Sequence, residues 1–280
     1  MVKRAKRRRR GGAEDAHKAP FNPAEILKDW WDAVVVTAAT LAGAPLRLCG
    51  IKTDKLKRDQ LAASVRGFPV VGLALGLIAA LVYSLADGLG LPPLIASLLA
   101  VATLAFLGGA GFEGGLARVA DALITGGSKT QQLARLKEEP LGAYGTMVLV
   151  ICLGLRVGAL ASMENAGAVT AALAAALSAS WAALAVVLYL LPPARRSGFA
   201  HAAGRPALDQ TVLAALLAAA LALLVLGPVA AVVALAIGGL GAFKFAWFAK
   251  RNFGGTTGDV LGAVQQGAEI GVLLAIVALA

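Results

Sequence analysis

Residues Phe112–Gly145 read FEGGLARVADALITGGSKTQQLARLKEEPLGAYG, the longest polar insertion in an otherwise apolar chain. Hydrophobic segments flank it on both sides, so this insertion has to sit at a membrane face rather than inside the hydrocarbon. Carboxylates, basic residues and glycines gather in it, which makes it the first place to look for chemistry.

The surrounding composition sets the fold class. Hydrophobic residues make up 59% of the 280 and charged residues 15%, where soluble domains carry about a quarter charged. Several windows exceed the roughly 18 uncharged residues that mark a transmembrane helix. The expected fold is all-α, a polytopic membrane helical bundle of about seven transmembrane helices, preceded by an N-terminal interfacial or re-entrant helix. The chain divides into a disordered basic tail over 1–20 and a single membrane-embedded domain over 21–280. Its net charge of +10 does not point to nucleic acid, because no nucleic-acid-binding fold accompanies it. Lys and Arg instead collect in alternate loops, as membrane orientation requires. The two cysteines, Cys49 and Cys152, lie in different segments and form neither a disulfide framework nor a CxxC site.

In chain order, Met1 to Pro20 carries Lys3, Arg4, Lys6 and the run Arg7–Arg10, a tail expected to rest on anionic lipid. A twin-arginine export signal fits less well: the apolar stretch begins only at Ala33, and no small-residue cleavage pattern stands out. Asn22-Pro23-Ala24-Glu25 is a capped helix start, and Asn22–Ala44 reads as an interfacial helix with Trp30 and Trp31 at headgroup level. A basic loop over Arg47–Arg66 follows. Spans are predicted at Phe68–Ala86, Leu94–Gly111, Thr146–Met163, Val169–Leu191, Val212–Leu226, Val229–Phe248 and Val260–Ala280, with a hinge at Gly227-Pro228. Gly72-x-x-x-Gly76 offers close helix packing. Ser128-x-x-Gln131 is a capping box opening a helix that ends near Pro140 and Gly142. Loops at 47–67, 112–145, 192–210 and 249–259 hold the interhelical basic residues, which places them in the cytoplasm and Ala280 outside.

Some ionisable residues fall within or beside the spans. Arg156 and Glu269 lie at a depth where charge has to be paired or face a polar cavity, so both are expected to face the bundle interior, each the candidate partner of the other. Lys244 is nearer the membrane edge and can snorkel. Asp259, after Thr256-Thr257-Gly258, is either a plain helix cap or a functional carboxylate. His17 and His201 have no partner at metal-ligand spacing.

Several segments then resemble one family. FGGTTGDVLGAVQQGAEIGVLLAIVAL (253–279) is similar to a GG-x-TGDVLGA pattern at the C-terminus of the cobalamin synthases, the adenosylcobinamide-GDP ribazoletransferases. EGGLARVADAL (113–123) and LKEEPLGAYGTMVLV (136–150) resemble that family's DGLADTADAL and MKDSRIGAYG stretches. RGFPVVGLALG (66–76) looks like its first long span, and LPPARRSGFAHAAG (191–204) sits where the family has a basic loop. The resemblance covers most of the chain from Arg66 onward, in family order.

What the resemblance implies is a phosphotransfer in the bacterial cytoplasmic membrane. The 3′-hydroxyl of α-ribazole, or of its 5′-phosphate, attacks the phosphate carrying adenosylcobinamide in adenosylcobinamide-GDP, and GMP leaves. Mg2+ is the implied cofactor, neutralising phosphate oxygens. The implied catalytic residues are Asp121, Asp259 and Lys137. Metal ligands would come from Asp121, Glu113, Glu138 and Asp259, and substrate contacts from Arg118, Arg195, Arg196, Arg156 and Glu269. The family pattern has aspartates at the positions of Gly114, Arg118 and Asp121, and an arginine at Pro140. Two readings therefore stay open: Arg118 contacts a phosphate directly beside a metal on Asp121, or Arg118 and Asp121 form a surface pair and the metal site has decayed. The competing classes are a non-catalytic homologue that binds corrinoid or partner proteins, and a small-molecule transporter, which would place its site near the midplane between repeated halves.

Overall fold

The computed structural model describes residues 23–41, 62–137, 140–163 and 165–280. The 1–20 tail, the Asn22 cap, the basic loop up to residue 61 and Glu138 lie outside the described residues. Helix α1 (Pro23–Leu41) is followed by a 3-10 turn (Val65–Gly67) and α2 (Phe68–Gly88). Then come α3 (Pro93–Leu107), α4 (Gly111–Thr125), α5 (Lys129–Arg135), α6 (Ala143–Ala161) and α7 (Ala166–Leu190). The short α8 (Phe199–Ala203) precedes α9 (Leu208–Leu226), α10 (Pro228–Asn252) and α11 (Gly258–Leu279). Helices α2, α6, α7, α9, α10 and α11 are long and apolar enough to cross a membrane, six in all, and the bent pair α3–α4 makes a seventh when counted as one span. The chain is thus a multi-pass helical bundle.

The structure departs from the sequence reading at the polar insertion. The span expected over Leu94–Gly111 stops at Leu107, and most of the supposed loop is helical. Gly108-Gly109 ends α3: Gly109 takes a φ of 61°, and the Ala110 amide reaches back to the Ala105 carbonyl at 2.7 Å. That is a left-handed helix stop, for which glycine carries no steric penalty. The chain then turns by 86° into α4. Residues 113, 115, 116, 117, 119 and 122 of α4 are buried, an amphipathic repeat that its polar composition masks. Ser128 does form the capping box with Gln131, but α5 stops at Arg135, where the last turn tightens through a bond from the Lys137 amide to the Ala134 carbonyl.

Helix α7 runs through the centre, with Trp181 almost fully buried and stacked edge-on against Phe112 of α4. Gly72 and Gly76 of α2 lie directly on the α7 backbone; a Cβ at Gly76 would come within 2.7 Å of the Leu173 carbonyl oxygen. Small residues there let two helices approach closely enough for dispersion to hold them in a medium without a hydrophobic driving force. At the start of the chain, Thr37 donates to the Ser64 carbonyl, and the Arg66 guanidinium bonds the Asp29 carbonyl and covers the Trp30 ring. These contacts seat one face of α1 on the bundle and leave Leu27, Trp31 and Val35 exposed along the other.

Candidate active site

The C-terminus of α7 and the N-termini of α6 and α11 meet at one end of the bundle, and α4 crosses between them. Its crossing depends on two glycines. A Cβ at Gly115 would stand 2.8 Å from the Asp259 carbonyl oxygen, and one at Gly262 would stand 2.7 Å from that of Phe112. With only hydrogen at both positions, α4 and α11 lie backbone to backbone. This contact brings Arg118, one turn beyond Gly115, to Asp259: the Arg118 Nε donates to Asp259 Oδ1 at 3.1 Å in a partly buried ion pair. Gly114 clears the space over which the guanidinium folds back. A pair between Arg118 and Asp121, one of the two sequence readings, is therefore not what forms; the arginine turns to the other helix.

Asp259 is not needed as a cap. The N-cap of α11 is Thr257, whose hydroxyl accepts the Val260 amide at 3.2 Å. Asp121 caps instead, and does so across elements. Its two carboxylate oxygens accept the amides of Gly142 and Gly145, each at 2.7 Å, at the start of α6. A negative charge on otherwise orphaned amides at a helix N-terminus is favourable twice over, by hydrogen bonding and by the helix dipole. Asp121→Ala would orphan both amides and is expected to destabilise the protein by about 1–3 kcal/mol. Unfolding in mixed micelles, together with faster amide exchange at residues 142 and 145, checks this.

Beside these groups lies a cavity of about 460 Å³ lined by Arg118, Asp121, Arg135, Gly142 and Tyr144, among others. Arg195 approaches from the loop after α7: its guanidinium bonds the Leu133 carbonyl, and its charge acts on Asp259. That loop is pinned beside the Asp259 loop by paired backbone bonds between Ala194 and Thr256 and between Thr256 and Pro192, both 2.8 Å. No motif or spacing singles out Arg135; only the fold of the chain brings it to the cavity. Lys137 and Arg196 are exposed nearby.

A second cluster lies deeper. Arg156 of α6 donates through Nε to Glu269 at 2.8 Å and through Nη1 to Glu113 at 2.9 Å. Gln265 donates to Glu269 Oε2 at 2.7 Å and to Ser180 at 3.2 Å, and Gln266 donates to the Gln265 side chain at 2.8 Å. All six residues are buried. Arg156 and Glu269 face each other, as their depth in the sequence predicts. Glu113 joins them rather than Asp121, from which it is separated by eight residues, roughly 12 Å of helix rise.

Mg2+ takes close to ideal octahedral oxygen ligation, commonly from one or two carboxylates with phosphates and water. The carboxylates that the structure describes do not fit such a site. Among the described residues no three of His, Cys, Asp and Glu come close enough to form a metal site from protein side chains alone, and the one or two carboxylates that a phosphate-assisted site needs are already engaged. Glu113 is spent on Arg156, Asp121 on two amides, and Asp259 carries a guanidinium.

The fold and this arrangement define an integral membrane protein with an arginine-rich pocket at one end of its helical bundle. The model of the cobalamin-5-phosphate synthase family matches residues 34–277. A protein of Bradyrhizobium diazoefficiens named adenosylcobinamide-GDP ribazoletransferase is 38% identical over 86% of this chain and 93% of its own length. Another of that name, from Azorhizobium caulinodans, is 39% identical over 81% of this chain and 88% of its own. A third, from Mesorhizobium japonicum, is 38% identical over 76% and 82%. No solved structure matches. The chain belongs to the cobalamin-5-phosphate synthase family.

Proposed function

We propose that this chain transfers the adenosylcobinamide phosphate group from adenosylcobinamide-GDP to α-ribazole or its 5′-phosphate, a late step of cobalamin synthesis. The observation that carries the reading is the pocket itself: Arg118 and Arg135 line it together with Asp121, and beside it Arg118 pairs with Asp259, on which the charge of Arg195 also acts. Planar guanidinium groups match phosphate oxygens with paired donors. In the reaction the ribazole 3′-hydroxyl oxygen bonds to the phosphorus that bears cobinamide. The bond from that phosphorus to the bridging oxygen breaks, and GMP departs with the electron pair. In this reading Asp259 takes the hydroxyl proton as general base. Arg118 and Arg195 hold the phosphates in line, with Lys137 and Arg196 at the rim.

The same reading gives the protein its setting. Basic residues gather in the loops at the pocket end, so this end faces the cytoplasm of a bacterial cell, where nucleotide-activated substrates are found. The exposed stripe of Leu27, Trp31 and Val35 on α1 lies in the lipid interface, where an amphipathic helix buries its apolar face. Expression in a bacterial strain lacking its own ribazoletransferase, grown on cobinamide plus ribazole, should restore cobalamin-dependent growth. Failure to rescue by protein shown to reach the membrane in folded form would overturn the reading.

A further inference from the structure

Asp259 and Arg118 face each other 141 residues apart in sequence, and the guanidinium also lines the cavity beside them. One donor, Nε, is spent on Asp259. A guanidinium has five N–H donors in a fixed plane, so the Nη groups remain to be shared with an oxyanion while the Nε bond holds the group in place. The Arg118 side chain is 26% exposed and that of Asp259 19%, partly dried surroundings in which a fixed charge acts more strongly than in open water. Arg135 lines the same cavity, and the charge of Arg195 also acts on Asp259.

From this we infer that the positive charge meeting the substrate's diphosphate is resident in the protein, supplied by Arg118 with Asp259 as its orienting partner, and not by a divalent cation held on Asp259. The inference rests on the proposed function for the identity of the substrate, and it follows from the misfit of the carboxylates to a metal. Two requirements of a metal site fail together. Asp259 is already paired with a guanidinium, so a dication there would have to displace Arg118 or sit against its like charge, and Asp121, the carboxylate that lines the cavity, has both oxygens engaged by the Gly142 and Gly145 amides. The binding partner is the pyrophosphate of a nucleoside diphosphate ester, whose oxygens take the Nη donors that Asp259 leaves unused.

The test is binding of adenosylcobinamide-GDP to the purified full-length protein in detergent, measured in EDTA and again with saturating Mg2+. The dissociation constant is expected to agree within about twofold between the two conditions. Arg118→Gln should weaken binding at least about tenfold in both, about 1.4 kcal/mol. Because that variant leaves Asp259 without its partner, Arg118→Gln with Asp259→Asn removes both charges while keeping polar side chains at both positions, and should show the same loss in a protein of normal thermal stability. Wild-type binding that vanishes in EDTA and returns with Mg2+ overturns the inference, as does undiminished binding by the double variant. GMP release, followed in the same samples, separates this from the functional reading. Tight binding in EDTA without GMP release in either buffer leaves the charge assignment standing and removes the enzyme. Release and binding that both need the cation leave the enzyme standing and remove the assignment.

Discussion

Arg156→Met is expected to cost the folded protein about 3–5 kcal/mol, the penalty of stranding buried charge without its counter-ion. Arg156 is the cation of a buried cluster that holds two carboxylates, Glu113 and Glu269, on two other helices. The amides of Gln265 and Gln266 supply further hydrogen bonds, but they bring no charge. Removing the guanidinium leaves both carboxylates in a low-dielectric interior, so unfolding in mixed micelles should shift far more than for a loss of packing. The cluster also ties the first turn of α4 to α6 and α11, and α4 carries Arg118 and Asp121. Pocket function should therefore fall with stability. The triple variant Glu113→Gln, Arg156→Met and Glu269→Gln removes every charge and should recover most of the loss, since replacing a whole buried ion cluster is often close to neutral. If the triple variant is as unstable as the single one, the cluster acts through shape and not through charge.

The second large effect concerns chemistry. Asp259→Asn keeps the size of the side chain and a hydrogen-bond acceptor for Arg118, but loses the capacity to take a proton. Turnover is expected to fall by roughly 10²–10⁴, the usual contribution of a positioned general base, with little change in KM and a loss of stability of no more than about 1 kcal/mol from the partly exposed ion pair. Thr257→Ala supplies the contrast. It removes the α11 cap formed with Val260, should cost about 1 kcal/mol of stability, and should leave kcat near the wild-type value. Unchanged kcat in Asp259→Asn would make that carboxylate only a counter-ion to Arg118.

Much of the architecture is legible in the chain because a membrane imposes long apolar runs. The close packing at Gly72 and Gly76, the hinge at Gly227-Pro228 and the capping box at Ser128 are also local signals, written within a few residues. Arg156 and Glu269 find each other because a charge at that depth needs a partner. Long-range partners are a different matter. Asp121 caps a helix that starts about twenty residues later, and Glu113 turns to Arg156 instead of toward the aspartate on its own helix. Neither is readable from spacing, since the side chains are aimed by the 86° bend between α3 and α4. The bend had a signal, the adjacent Gly108 and Gly109, hidden by the apolar run before them. Arg135 had none, because only the folding of α5 brings it to the cavity.

The most direct test of the transfer is its stoichiometry. The purified wild-type protein, placed in phospholipid vesicles with adenosylcobinamide-GDP and α-ribazole, should release GMP and form the joined corrinoid in equimolar amounts, with neither product appearing when ribazole is omitted. Corrinoid bound by folded protein with no GMP released, whatever divalent cation is added, would contradict the account and leave a binding protein on the scaffold of a transferase.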